Sequence, residues 1–140
     1  MRLLPWYIGS MNDLEFIDAF TAGQLPTAGF DHRAHLRAAY LLLRDRPFLE
    51  ACMAMRDGLQ SLAGKLGKPD LYHETVTVAF MALVAERSSS MDGDWDAFIA
   101  AHPELCGRGL LESYYSTALL TSGAARSTFT LPDRIGGRHD

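Results

Sequence analysis

The sequence predicts an all-α protein. Several long segments carry apolar residues at helical spacing, the linkers between them are short and contain Pro, Gly or Asp, and no hairpin turn separates two alternating segments. Helices joined in this way predict a compact single-domain bundle of about five to six helices. The 140 residues suit one domain spanning 1–140, with 1–9 and 135–140 extended or frayed.

The first helix is expected near Ser10, with Asp13 in a capping-box position and Leu14, Ile17, Phe20 and Ala22 as its stripe. Gly23 ends it and Pro26 bars continuation. Asp31 caps the second helix, His32 to Arg44, which Pro47 stops. The third runs from Phe48 to Leu66 with Leu49, Cys52, Met55, Leu59, Leu62 and Leu66 on one side and Gly67 beyond its end. The fourth is expected after Asp70, as its cap, and runs to Arg87. Thr75-Val76-Thr77-Val78 alternates like a strand, but Ala79 to Glu86 continues it as helix. Ser88 to Gly93 reads as a loop, Trp95 to Ala101 as a short helix ended by Pro103, and Leu110 to Leu120 as a last helical region broken near Ser116. Pro132-Asp133-Arg134 reads as a turn.

Composition narrows the classes of function. The formal net charge of -4 argues against nucleic acid, which calls for a basic excess. Cys52 and Cys106 form no CxxC pair, and a chain of this length builds a core without staples, so two thiols in a reducing compartment are expected. Pro5 and the shortness of the opening apolar run argue against a signal peptide, and no segment suits a membrane span. These points lead to a cytoplasmic location. No heptad seam declares a homo-oligomer, and none excludes one.

Helical projection then singles out histidines. On the second helix His32 and His35 share the arc of Leu36, Ala39, Leu42 and Leu43, while Arg33, Arg37 and Arg44, with Tyr40 beside them, form a solvated face. On the fourth helix Val76, Phe80, Leu83 and Val84 mark the apolar face. His73 and Thr77 lie in its middle, Glu74 is on its flank beside Val78 and Met81, and Thr75 and Glu86 face away. All three histidines fall in a first helical turn after an Asp, where the helix dipole and burial favour neutral imidazole, the form that binds metals or accepts protons. His32, His35 and His73 are thus candidate ligands for zinc, iron, copper or manganese, with Glu74 as a further ligand or base. The competing reading makes each a core histidine hydrogen-bonded to a carbonyl or carboxylate. Tyr72, Thr77 and Tyr114 are candidates to line the same pocket, and Arg126 to hold an anion, or else to pair with a carboxylate such as Asp133. Cys catalysis, phosphate-cradling loops and the common hydrolase and dinucleotide motifs have no support.

The segments Phe30-Asp31-His32-Arg33-Ala34-His35-Leu36 and Leu71-Tyr72-His73-Glu74-Thr75-Val76-Thr77, followed by Tyr114-Tyr115 and Pro132-Asp133-Arg134, resemble a group of short bacterial helical proteins of unknown function. The resemblance spans Leu14 to Arg134. It implies bacterial origin and a shared architecture, and transfers no activity.

Three functional readings follow. In the first, the protein is a metal-dependent enzyme acting on a small molecule. In the second, it is a non-catalytic module for a small molecule or partner, with structural histidines. In the third, it is a metal-free enzyme with His73 as base, Glu74 as its orienter and Arg126 as anion clamp.

Overall fold

The structure, a computed structural model, describes residues 7–89 and 93–134. Expectations for residues 1–6, for the middle of the 88–93 loop and for the tail with His139 lie outside the described residues. Among these residues every regular element is a helix, so the protein is all-α. None of the helices is long and apolar enough to cross a membrane. The chain groups into two compact units, Met1–Tyr72 and His73–Asp140.

The first unit holds α1 (Asp13–Thr21), α2 (His32–Asp45) and α3 (Phe48–Lys65), each packed on the other two. A 3₁₀ turn at Ile8–Ser10 precedes α1, so Ser10 is not its start. The cap is Asn12, whose side chain accepts from Glu15 N–H while Glu15 reaches back to the Asn12 N–H. This satisfies two donors that a helix start leaves open. Both α1 and α3 end in a Schellman turn. Gly23 and Gly67 take positive φ, and the N–H groups of Gln24 and Lys68 return to the carbonyls of Ala19 and Ala63.

The buried side of α1 carries Phe16 and Phe20, whereas Leu14, expected on that side, is 69% exposed. Phe16 and Phe20, one turn apart, define the inward face of α1, and Leu14 falls outside it. Phe20 lies over Gly58 of α3, where a Cβ would run into the phenyl ring. Glycine there sets how closely α1 approaches α3.

The arginine face of α2 is not simply solvated. Arg37 donates through Nε and Nη2 to Asp13 Oδ1 at 3.0 and 2.8 Å, and through Nη2 to the Met11 carbonyl at 2.9 Å. Its guanidinium also sits 4.4 Å from the Phe16 ring centroid. Tyr40 is buried as well. Because α1 and α3 both pack on α2, more of its circumference is covered than one apolar arc suggests.

The second unit holds α4 (Glu74–Ser88), α5 (Trp95–Ala101), α6 (Thr117–Leu120) and α7 (Gly123–Ser127), with 3₁₀ turns at Pro103–Cys106 and Arg108–Ser113. The last helical region is thus a 3₁₀ segment and a short α-helix, and Ser116 is the cap of the second piece. α4 packs on α7 and on the 108–113 turn.

Thr75 overturns an expectation. Helical projection turns it away from the apolar face, yet it is fully buried. Its hydroxyl donates to the Thr128 carbonyl at 3.0 Å and accepts from the Thr130 N–H at 3.0 Å. A buried hydroxyl with both roles filled carries little burial penalty. The segment 128–134 is tied down further. The Tyr115 hydroxyl donates to the Thr130 carbonyl at 2.8 Å, and Arg134 N–H donates to the Tyr114 carbonyl at 2.9 Å. Asp133 accepts from Ser116 N–H and Oγ at 2.8 and 2.6 Å.

Candidate functional site

His73 does not lie in the first turn of a helix that follows Asp70. Asp70 belongs to a 3₁₀ turn, Pro69–Leu71, and α4 begins at Glu74 with His73 as its cap. The backbone of His73 is extended, and its Nδ1 accepts from the Val76 N–H at 3.2 Å. Its Nε2 lies 2.7 Å from the Leu120 carbonyl oxygen. A peptide N–H only donates and a carbonyl only accepts, so these partners put the proton on Nε2 and the lone pair on Nδ1. Both nitrogens are engaged. The main chain of His73 also accepts from Thr77 Oγ1 at 2.8 Å, which turns Thr77 toward its own helix start. To bind a metal or take up a proton, Nδ1 would have to give up the Val76 N–H.

Sequence spacing missed this because Asp70 is a better cap by residue type than histidine. Pro69 breaks the tie: it starts a tight 3₁₀ turn that ends before α4.

His32 and His35 do come together, on the first turn of α2. Asp31 caps that turn by accepting from Ala34 N–H at 3.0 Å. Their ring centroids are 6.5 Å apart with planes at 45°. Two imidazoles on one tetrahedral ion would bring their centroids to roughly 5 Å, so these rings as placed do not converge on one point. His35 instead lies against Phe30, with centroids 4.8 Å apart. Phe30 in turn stacks on Phe20 at 5.8 Å and Phe16 at 6.4 Å. The ring of His35 is therefore the polar end of an aromatic stack. Among the described residues no group of three or more His, Cys, Asp or Glu side chains is placed to hold a metal ion.

The other candidates are distributed between the units. Tyr72 closes the first unit, and Glu74, Thr77, Tyr114 and Arg126 belong to the second. Tyr114 and Glu74 are half-buried, and Arg126 is exposed on the last turn of α7. The carboxylate expected for Arg126, Asp133, is bound through both oxygens by Ser116. Those bonds hold Asp133 below the usual carboxylate range. Burial, followed by the nearby Asp133 charge, pushes the Tyr115 hydroxyl up from its ordinary value. That hydroxyl is the donor that ties the 128–134 segment to Tyr115.

A histidine outside the expected set has the carboxylate partner expected of His73. His102 Nδ1 lies 3.4 Å from Glu104 Oε2. Its signal in the sequence is only a His-x-Glu spacing after a short helix.

The cap role of His73 makes a direct prediction. His73→Ala should cost about 2 kcal/mol, from the lost cap and the lost bond to the Leu120 carbonyl. His73→Asn, which can cap but not reach Leu120, should recover about half of that. Urea melts of the three proteins measure it. Equal losses in both variants would show that the cap contributes nothing.

Fold and site together define an all-α helical protein whose most sharply placed histidine is a helix cap. No family model matches the sequence, and no curated protein or solved structure is significantly similar to it.

Proposed function

We propose that the chain is a non-catalytic helical binding module in which His32, His35 and His73 serve the fold. The observation that carries this reading is the His73 ring, held at Nδ1 by Val76 and at Nε2 by Leu120. A residue poised for metal or acid–base work keeps one nitrogen open toward its ligand or substrate. The divergence of His32 and His35 supports the same reading. For the binding surface we favour the outer side of α3, where Leu49 and Met53, one turn apart, are 74% and 63% exposed. Large exposed apolar side chains on one helical face are what partner surfaces commonly use.

The reading is tested by metal titration. Full-length protein, purified without chelator, is titrated calorimetrically with zinc, iron(II), copper(II) and manganese, alongside His32→Ala and His73→Asn. The expected result is no stoichiometric binding. A micromolar or tighter site lost in both variants would overturn the proposal in favour of a metal-dependent protein.

A further inference from the structure

The imidazole at the end of α5 is held differently from that of His73. His102 follows Ala101, and its ring packs on Phe98 with centroids 5.1 Å apart. Its Nδ1 faces Glu104 Oε2 at 3.4 Å. The same carboxylate oxygen accepts from Arg87 Nε at 2.7 Å, and Arg87 is steadied by a second bond from Nη1 to the Leu83 carbonyl at 3.3 Å. The arginine bond holds the Glu104 carboxyl below its usual range, so it remains an anion and an acceptor at neutral pH.

An ionised carboxylate only accepts, so it draws the ring proton to Nδ1 and leaves the lone pair on Nε2. Among the described residues Nε2 has no hydrogen-bond partner, and no buried side-chain nitrogen or oxygen lacks one, so Nε2 meets solvent. The side chain is 25% exposed. The ring is thus oriented by Phe98 and Glu104, with its basic nitrogen outward. A metal would need further ligands, and among the described residues no group of three or more His, Cys, Asp or Glu is placed to supply them. A general base would need a substrate held beside it. A nucleophile toward a small electrophile needs only an oriented, accessible lone pair with a base-stabilising partner.

We propose that His102 is a phosphoryl-accepting residue, modified at Nε2 by small phosphoryl donors of the phosphoramidate class. The Nε2 lone pair forms the new N–P bond, and the donor's own P–N bond breaks with its electron pair passing to the departing ammonia. Nothing is oxidised or reduced. The zwitterionic donor already carries the proton that leaves with ammonia. The positive charge that develops on the imidazole is matched by the Glu104 carboxylate across Nδ1–H. Glu104 is a positioning residue here, and Arg87 holds it in place. This inference does not depend on the binding-module reading.

The test treats the full chain with potassium phosphoramidate at neutral pH. Peptide mapping reads the labelled histidine, and phosphorus NMR distinguishes the Nε2 from the Nδ1 isomer. His32, His35 and His73 are internal competitors in the same molecule. The expected result is labelling of His102 at Nε2, roughly tenfold faster than His73. In Glu104→Gln the rate should fall and the preference for Nε2 should be lost, with helical circular dichroism unchanged. Labelling of His102 no faster than the other histidines, labelling at Nδ1, or a Glu104→Gln protein identical in rate and isomer would each overturn the proposal.

Discussion

Gly58→Ala should destabilise the protein by about 3 kcal/mol, although alanine is the better helix former by about 1 kcal/mol. The added methyl would occupy the space of the Phe20 ring, which is buried and stacks on Phe30. Gly64 lies on the same helix and a Cβ there would meet nothing within 4 Å. Gly64→Ala should therefore stabilise by up to about 1 kcal/mol. Opposite signs for the same substitution on one helix isolate the contact from the propensity. Chemical denaturation of both variants, and of Gly58→Ala combined with Phe20→Leu, makes the measurement. The double variant should recover part of the loss, because the shorter side chain clears the methyl. If Gly58→Ala were as stable as the parent, the close approach of α1 to α3 would be wrong.

Thr75→Val should cost about 3 kcal/mol despite its nearly unchanged volume. The hydroxyl serves the Thr128 carbonyl and the Thr130 N–H together, so its loss leaves two backbone groups without that partner. Thr75→Ser keeps the hydroxyl and loses one methyl, and should cost about 1 kcal/mol. Hydrogen exchange gives an independent readout: the Thr130 amide should lose protection in the valine variant and keep it in the serine variant. Similar losses in both would mean that packing of the methyl, not the two hydrogen bonds, holds residue 75 in place.

Much of the fold was legible in local signals. Asp31, the apolar run of α2 and the stop at Pro47 define that helix to within a residue, because cap chemistry and proline geometry act over one turn. Phe48 to Lys65 with Gly67 beyond it was equally plain. The starts of α1 and α4 were misplaced. In each case a plausible cap, Ser10 or Asp70, belongs to a 3₁₀ turn just before the helix. Residue type alone does not distinguish one capped turn from another when both precede an apolar run. The short α7 was not foreseen, since Gly123 to Ser127 carries too little periodicity to declare itself.

For the site, projection singled out His32, His35 and His73 but could not assign the contacts of their rings. It placed His32 and His35 on one side of α2, and they do lie near each other, but ring orientation depends on Phe30, which is off the helix. It placed Thr75 outward because it compared apolar side chains only. It overlooked His102, whose partner Glu104 is held by Arg87 of α4, far away in the sequence.

What the sequence by itself determined is the helical class, the extent of α2 and α3 and the glycine-terminated turns, all products of interactions within a few residues. Tertiary structure alone decided which nitrogens of His73 and His102 are engaged, that Thr75 is buried, and that Arg37 pairs with Asp13. Those outcomes rest on groups distant in the chain, such as Leu120 for His73 and Thr128 for Thr75. A polar side chain buried in the interior takes its function from the partner that satisfies it, and that partner is chosen by packing, not by neighbours in sequence.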